Sequence, residues 1–212
     1  MPKKYQSHAL FIDGPVGQLE AILDSQVEET PIGTAIICHP HPLYGGTMDN
    51  KVAHTLSRAF IRSGYNSLRF NFRGTKKSEG KFDFGIGELD DLLAVIKWMK
   101  ARDHSEILWL AGFSFGAAIA INASSIIKVD GLISVAPAVE KFTNFTNQPQ
   151  CPWLILQGDE DELVDIKTTI DWLNTLNPGP ELLILSQAEH FFHGRLVELR
   201  EEIFKFVQEK NK

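Results

Sequence analysis

The stretch Gly112-Phe113-Ser114-Phe115-Gly116 limits what this chain can fold into more than any other. An apolar run, Ile107 to Ala111, leads into it, and small apolar residues, Ala117 to Ile121, lead out. Strand, sharp turn and buried helix is the setting in which a G-x-S-x-G serine sits on a strained turn with its hydroxyl exposed. A side chain at either flanking glycine would collide with the neighbours of such a turn. The serine then stands at the positive end of the following helix.

Short apolar runs recur along the 212 residues. Ala9–Ile12 and Leu19–Leu23 read as an opening hairpin through Gly14-Pro15 and Gly17. Thr34–Cys38, Ser67–Asn71, Ile107–Ala111, Leu132–Ala136, Trp153–Gln157 and Leu182–Leu185 are near-continuously apolar, as parallel strands covered on both faces must be. Between them lie helical stripes: Val52, Leu56, Ala59 and Phe60; Leu89, Leu92, Leu93, Ile96 and Met99 behind acidic residues; Ile166, Ile170 and Leu173 behind Asp165 as N-cap; and Leu196, Leu199, Ile203, Phe206 and Val207. This alternation predicts an α/β fold, a three-layer αβα sandwich on a mostly parallel sheet of about eight strands. The length suits one domain over residues 1–212, and the stretch from Ala136 to Pro152 is too short for a folded cap.

Composition narrows the partners. A formal net charge of −6 gives no basic surface for nucleic acid or anionic membrane. The Lys76-Lys77 pair, with Lys81 nearby, reads as a solvated loop. Two cysteines, Cys38 and Cys151, read as reduced thiols, and no apolar stretch is long enough for a signal or a membrane span. A cytoplasmic protein of undetermined oligomeric state acting on a small molecule is the expectation.

A serine hydroxyl needs a base to take its proton and a third group to orient that base. In open α/β sheets the site lies beyond the carboxyl ends of the strands. Two later loops sit there: Gln157-Gly158-Asp159-Glu160-Asp161-Glu162-Leu163-Val164 and Ala188-Glu189-His190-Phe191-Phe192-His193-Gly194. The order Ser, Asp, His is the one used by hydrolases built on such sheets. Asp159 competes with Asp161 as the acid, and His193 with His190 as the base.

With these residues the chain resembles the α/β-hydrolase superfamily, and within it the small lidless hydrolases similar to dienelactone hydrolase. The resemblance rests on His39-Pro-His-Pro-Leu-Tyr-Gly-Gly46, Arg69-Phe-Asn-Phe-Arg-Gly74, Gly112-Phe-Ser-Phe-Gly116, Gly158-Asp-Glu-Asp-Glu-Leu-Val164 and His190-Phe-Phe-His-Gly194. It implies Ser114 as nucleophile, Asp161 as acid and His190 as base, Asp161 being the aspartate of a G-x-x-D pattern. Dienelactone hydrolase itself carries cysteine where this chain has Ser114. The reaction implied is cleavage of a small carboxylic ester or thioester through an acyl-enzyme, as in a carboxylesterase. An acyltransferase, a peptidase and a non-catalytic binding module remain as alternatives.

An acyl-transfer site also needs two N–H donors for the developing oxyanion. Phe115, next to the nucleophile, supplies one. The other belongs to the His39–Gly46 loop, where Pro40 and Pro42 have no N–H, leaving His41, Leu43 or Tyr44. Leu43 and Tyr44 are the preferred pair. The His39-Pro-His41 spacing invites a metal reading, but no third ligand has diagnostic spacing. Gly74–Lys81 and Gly85-Ile-Gly87 both fail as nucleotide loops, so no cofactor is expected. Arg69, Asn71 and Arg73 read as loop-pinning residues, with Arg73 meeting an anionic substrate group as the alternative. Tyr44, Phe113, Phe115, Phe142, Phe145, Phe191 and Phe192 are the aromatic supply for an apolar substrate group.

Overall fold

The computed structural model describes residues 4–102, 107–145 and 147–211. Eight strands form one sheet in the spatial order β1-β2-β4-β3-β5-β6-β7-β8. They are β1 (Tyr5–Gly14), β2 (Gly17–Gln26), β3 (Thr34–Cys38), β4 (Asn66–Phe70), β5 (Leu108–Phe113), β6 (Gly131–Val135), β7 (Trp153–Gly158) and β8 (Glu181–Leu185). β2 is antiparallel to both β1 and β4, while β4 and β3 and then β5 to β8 run parallel. The parallel strands β3, β5, β6 and β7 are buried along their whole length, which explains their unbroken apolar sequence.

The first two strands are longer than the hairpin read from the sequence. Each has ten residues, paired from Tyr5↔Gln26 to Gly14↔Gly17. β1 is largely exposed, so polar residues such as Gln6, Ser7 and His8 belong to the strand and hide it from a search for apolar runs.

Among the described residues five α-helices connect strands, α1 (Lys51–Arg62), α2 (Ile86–Lys100), α3 (Phe115–Ile126), α4 (Val139–Phe142) and α5 (Ile166–Leu173), and α6 (Leu196–Lys210) follows β8. α2, α3 and α5 pack on one face of the sheet and α1 and α6 on the other. Local chemistry fixes where they start. Asn50 accepts from the amides of Val52 and Ala53 at the head of α1, and Asp165 accepts from Thr168 at the head of α5. At α2, Glu88 reaches back to the amides of Asp83 and Gly85. α3 is buried from Phe115 to Ser124, so its packing rather than an amphipathic stripe holds it. The connection from β6 to β7 contains only the single-turn α4 among its described residues.

β3, β5 and α3 meet where the G-x-S-x-G turn lies. A Cβ on Gly116 would stand 2.4 Å from the His39 carbonyl oxygen and 2.5 Å from that of Cys38. One on Gly112 would stand 2.4 Å from the backbone of Gly116. These are backbone neighbours that cannot rotate away. Gly116→Ala, a change that ordinarily favours a helix, is therefore expected to destabilise the protein by about 1–3 kcal/mol, read from urea unfolding. Unchanged or raised stability would show that β3 and α3 can part at no cost.

Candidate active site

Ser114 occupies the joint between β5 and α3 with φ 54° and ψ −117°, a backbone conformation L-residues rarely adopt. Its N–H donates to Val135 O (2.8 Å) and its C=O accepts from Ala117 (3.1 Å) and Ala118 (3.2 Å), so the turn is tied both to the next strand and to its own helix. The serine is half-buried and faces a cavity of about 610 Å³. His190 lines the same cavity, and Asp161 lies behind it.

The Asp161 side chain is fully buried and its oxygens are saturated. Oδ1 accepts from the amides of Leu163 (2.9 Å) and Val164 (2.8 Å), and Oδ2 from Gln157 Nε2 (2.8 Å). His190 Nδ1 lies 2.8 Å from Oδ2 and 3.0 Å from Oδ1. Three N–H donors and the His190 ring therefore surround the carboxyl group and fix its place in the buried site. His190 is itself 2% exposed, packed 4.9 Å from the Phe113 ring, and its amide donates to Glu162 (3.1 Å). Nδ1 is committed to Asp161, and His190 lines the same cavity as Ser114.

The competing residues have other work. Asp159 accepts from the Gln187 amide (2.6 Å) and so laces the two loops together, rather than bonding within its own turn. His193 is exposed and pairs with Glu189. Arg73 grips Asp91 through Nε and Nη2 (2.7 Å for the latter), which closes it to substrate. Arg69 donates to Met48 O and Asn71 accepts from Met48 N, so both pin the segment that follows the His39–Gly46 loop.

The oxyanion loop departs from the preferred pair. Pro42–Tyr44 forms a one-turn 3-10 helix in which the Leu43 amide donates to His41 Nδ1 (3.2 Å) and the Tyr44 amide to His41 O (3.1 Å). Both side chains point largely to solvent. The His41 and Phe115 amides donate to no described residue, and both residues line the cavity. His41, the third choice of the sequence, is the loop residue with a free N–H.

His39 holds that loop. It is fully buried, its Nε2 accepts from the Phe72 amide (3.0 Å) and its Nδ1 lies 2.6 Å from Pro40 O. Only the neutral Nδ1–H tautomer satisfies both partners, so neither nitrogen is available to a metal. Among the described residues no three His, Cys, Asp or Glu side chains cluster as metal ligands. Neither thiol competes with Ser114 as a nucleophile. Burial pushes the Cys38 thiol far up, and burial with Asp130 nearby pushes Cys151 up to about 12.

Of the aromatic residues read as substrate-facing, Tyr44, Phe115, Phe142 and Phe191 line the cavity. Phe113 and Phe192 are core residues, and Phe145 packs against Trp172. Two residues of the site escaped the sequence reading. Gln157 could have been found as the polar residue closing the apolar run Trp153–Leu156, whereas Glu162 carries no signal among its acidic neighbours.

Known proteins share this fold. XC6422 from Xanthomonas campestris, an α/β serine hydrolase without lid, superposes with a TM-score of 0.92 and 42% identity, covering 96% of this chain and 94% of that one. An α/β serine hydrolase homologue from Coxiella burnetii gives 0.88 and 47%, covering 93% and 96%. The chain belongs to the α/β serine hydrolases. The family model for X-Pro dipeptidyl-peptidase (S15 family) matches residues 29–141 of this hydrolase. The uncharacterized protein RP471 of Rickettsia prowazekii is 32% identical over 210 residues, 93% of this chain and 87% of that protein. Among the described residues no helix is long and apolar enough to cross a membrane.

The hydrolase's buried His39 also sets a pH limit on stability. Burial pushes its pKa down to about 4 from the ordinary 6.5, against the opposing pull of the Pro40 carbonyl. Between those values the unfolded chain binds the proton and the folded chain does not, so stability rises with pH through this window. The contribution is complete above pH 6.5 and is lost as pH falls towards 4. His39→Gln is expected to lose roughly 2 kcal/mol less than wild type between pH 7 and pH 5, measured by urea unfolding. Equal acid losses would mean that His39 titrates normally in the folded state.

Proposed function

We propose that this hydrolase cleaves a carboxylic ester or thioester of a small substrate through an acyl-enzyme on Ser114. The reading rests on one observation above the others: a buried Asp161–His190 pair opens into the same cavity as a serine on a strained strand-to-helix turn. Ser114 Oγ attacks the carbonyl carbon as His190 takes its proton, and Asp161 stabilises the resulting imidazolium. The His41 and Phe115 amides receive the oxyanion. Collapse expels the alcohol or thiol, protonated by His190. Water then attacks the acyl carbon, giving up a proton to His190, and the acid leaves as Ser114 Oγ is reprotonated.

A second reading, a peptidase, is favoured by the S15 match alone. That match spans the serine turn but reaches neither Asp161 nor His190, so it bears on the shared core more than on the bond cleaved. The cytoplasm is part of the same proposal, supported by two unpaired cysteines.

Labelling with a fluorophosphonate probe tests the nucleophile: wild type should label and Ser114→Ala should not. Labelling that survives in the variant, or none in folded wild type, would refute it. Screening p-nitrophenyl esters against X-Pro p-nitroanilides then separates the two readings. The loop donor is testable by proline, since His41 has φ −53°, a value proline adopts without strain. His41→Pro should lower kcat about 10²–10³-fold below His41→Ala, with the imidazole absent from both. Equal rates would move the second oxyanion donor elsewhere.

A further inference from the structure

Gln157, at the end of β7, is fully buried and makes an unbalanced set of contacts. Its Nε2 donates to Asp161 Oδ2 (2.8 Å) and to Val164 O (3.1 Å), while its Oε1 is buried with no partner. A native structure seldom leaves such an acceptor orphaned without a reason. Turning the amide over would set Oε1 against a carboxylate oxygen and a carbonyl oxygen, acceptor against acceptor. The orientation is therefore dictated by the two acceptors that face Nε2, Asp161 Oδ2 and Val164 O, and the orphaned oxygen is its consequence.

We propose that Gln157 is a positioning residue for proton transfer, acting through Asp161; the inference rests on the reading of Asp161 and His190 given above. Two loop amides hold Oδ1, and Gln157 is the described side chain other than His190 that holds Oδ2, the oxygen nearer His190 Nδ1. Its N–H also supports the carboxylate charge when His190 becomes cationic. The other titratable groups nearby are accounted for: Glu162 accepts from the His190 amide, Asp159 from Gln187 and Asp165 from Thr168.

Two substitutions test this with p-nitrophenyl acetate, rates being expressed per active site titrated with fluorophosphonate. Gln157→Met removes the donor and the orphaned acceptor together. It should lower kcat about 10- to 100-fold, the scale of a hydrogen bond to a charged group, with KM within about twofold; thermal stability falls as well, since Asp161 Oδ2 and Val164 O lose a donor, and the rate per titrated site is read apart from that loss. Gln157→Glu places a second carboxylate against Asp161. Two carboxyl groups this close share a proton, which must leave before Asp161 can stabilise the imidazolium. Full activity is then regained only at higher pH, so the acidic limb of the kcat profile moves up by about one unit or more. Wild-type kcat per titrated site in Gln157→Met, or an acidic limb unmoved in a folded Gln157→Glu, overturns the proposal. Should Gln157→Glu not fold, Gln157→Met decides alone. Ser114→Ala is the control for the underlying reading: if it hydrolyses the ester like wild type, that reading fails, whereas a dead Ser114→Ala beside unaffected Gln157 variants removes this inference only.

Discussion

The positive φ of Ser114 is the constraint from which the rest of the site follows. A non-glycine residue held there costs on the order of 1–3 kcal/mol and persists only where its surroundings enforce it. Here β5 and β6 grip the turn through Val135, and α3 closes against β3 so tightly that Gly116 has no room for a Cβ. The same approach that strains the serine brings the Cys38–His41 backbone beside the first turn of α3. One packing event thus creates both the exposed hydroxyl and the neighbourhood of the two free amides, at His41 and Phe115.

The supporting residues divide into two shells of different character. Asp161 and His190 are buried and densely hydrogen-bonded, with loops laced by Asp159, Gln157 and Glu162. The cavity wall above them carries an aromatic cluster. The His41 ring lies 4.7–5.5 Å from those of Tyr44, Phe82, Phe115 and Phe142, and Tyr44 is 87% exposed.

Most of the sheet was legible in the sequence because burial writes itself plainly, and so was the meeting of Ser114, Asp161 and His190 at one end of it. Parallel strands covered on both faces are apolar runs, and the order Ser114, Asp161, His190 follows strand order. Three things were not legible, each for a physical reason. β1 and β2 extend well beyond their apolar cores because an exposed antiparallel edge carries polar residues without penalty. The Leu43 and Tyr44 amides turn inward in a 3-10 turn, and hydrogen bonds within a loop leave no trace in composition. Arg73 pins its loop, as read from the sequence, but its partner Asp91 comes from the next helix, a pairing only the fold brings about.

Brief exposure to p-nitrophenyl acetate, an acid quench and peptide mass spectrometry would test the acyl-enzyme most directly. A single acetyl group on the peptide carrying Ser114, formed in the first turnover and lost on longer incubation, is the expected result. Steady hydrolysis with no acetylated peptide, or acetylation at another residue, would contradict the assignment of Ser114 as the nucleophile.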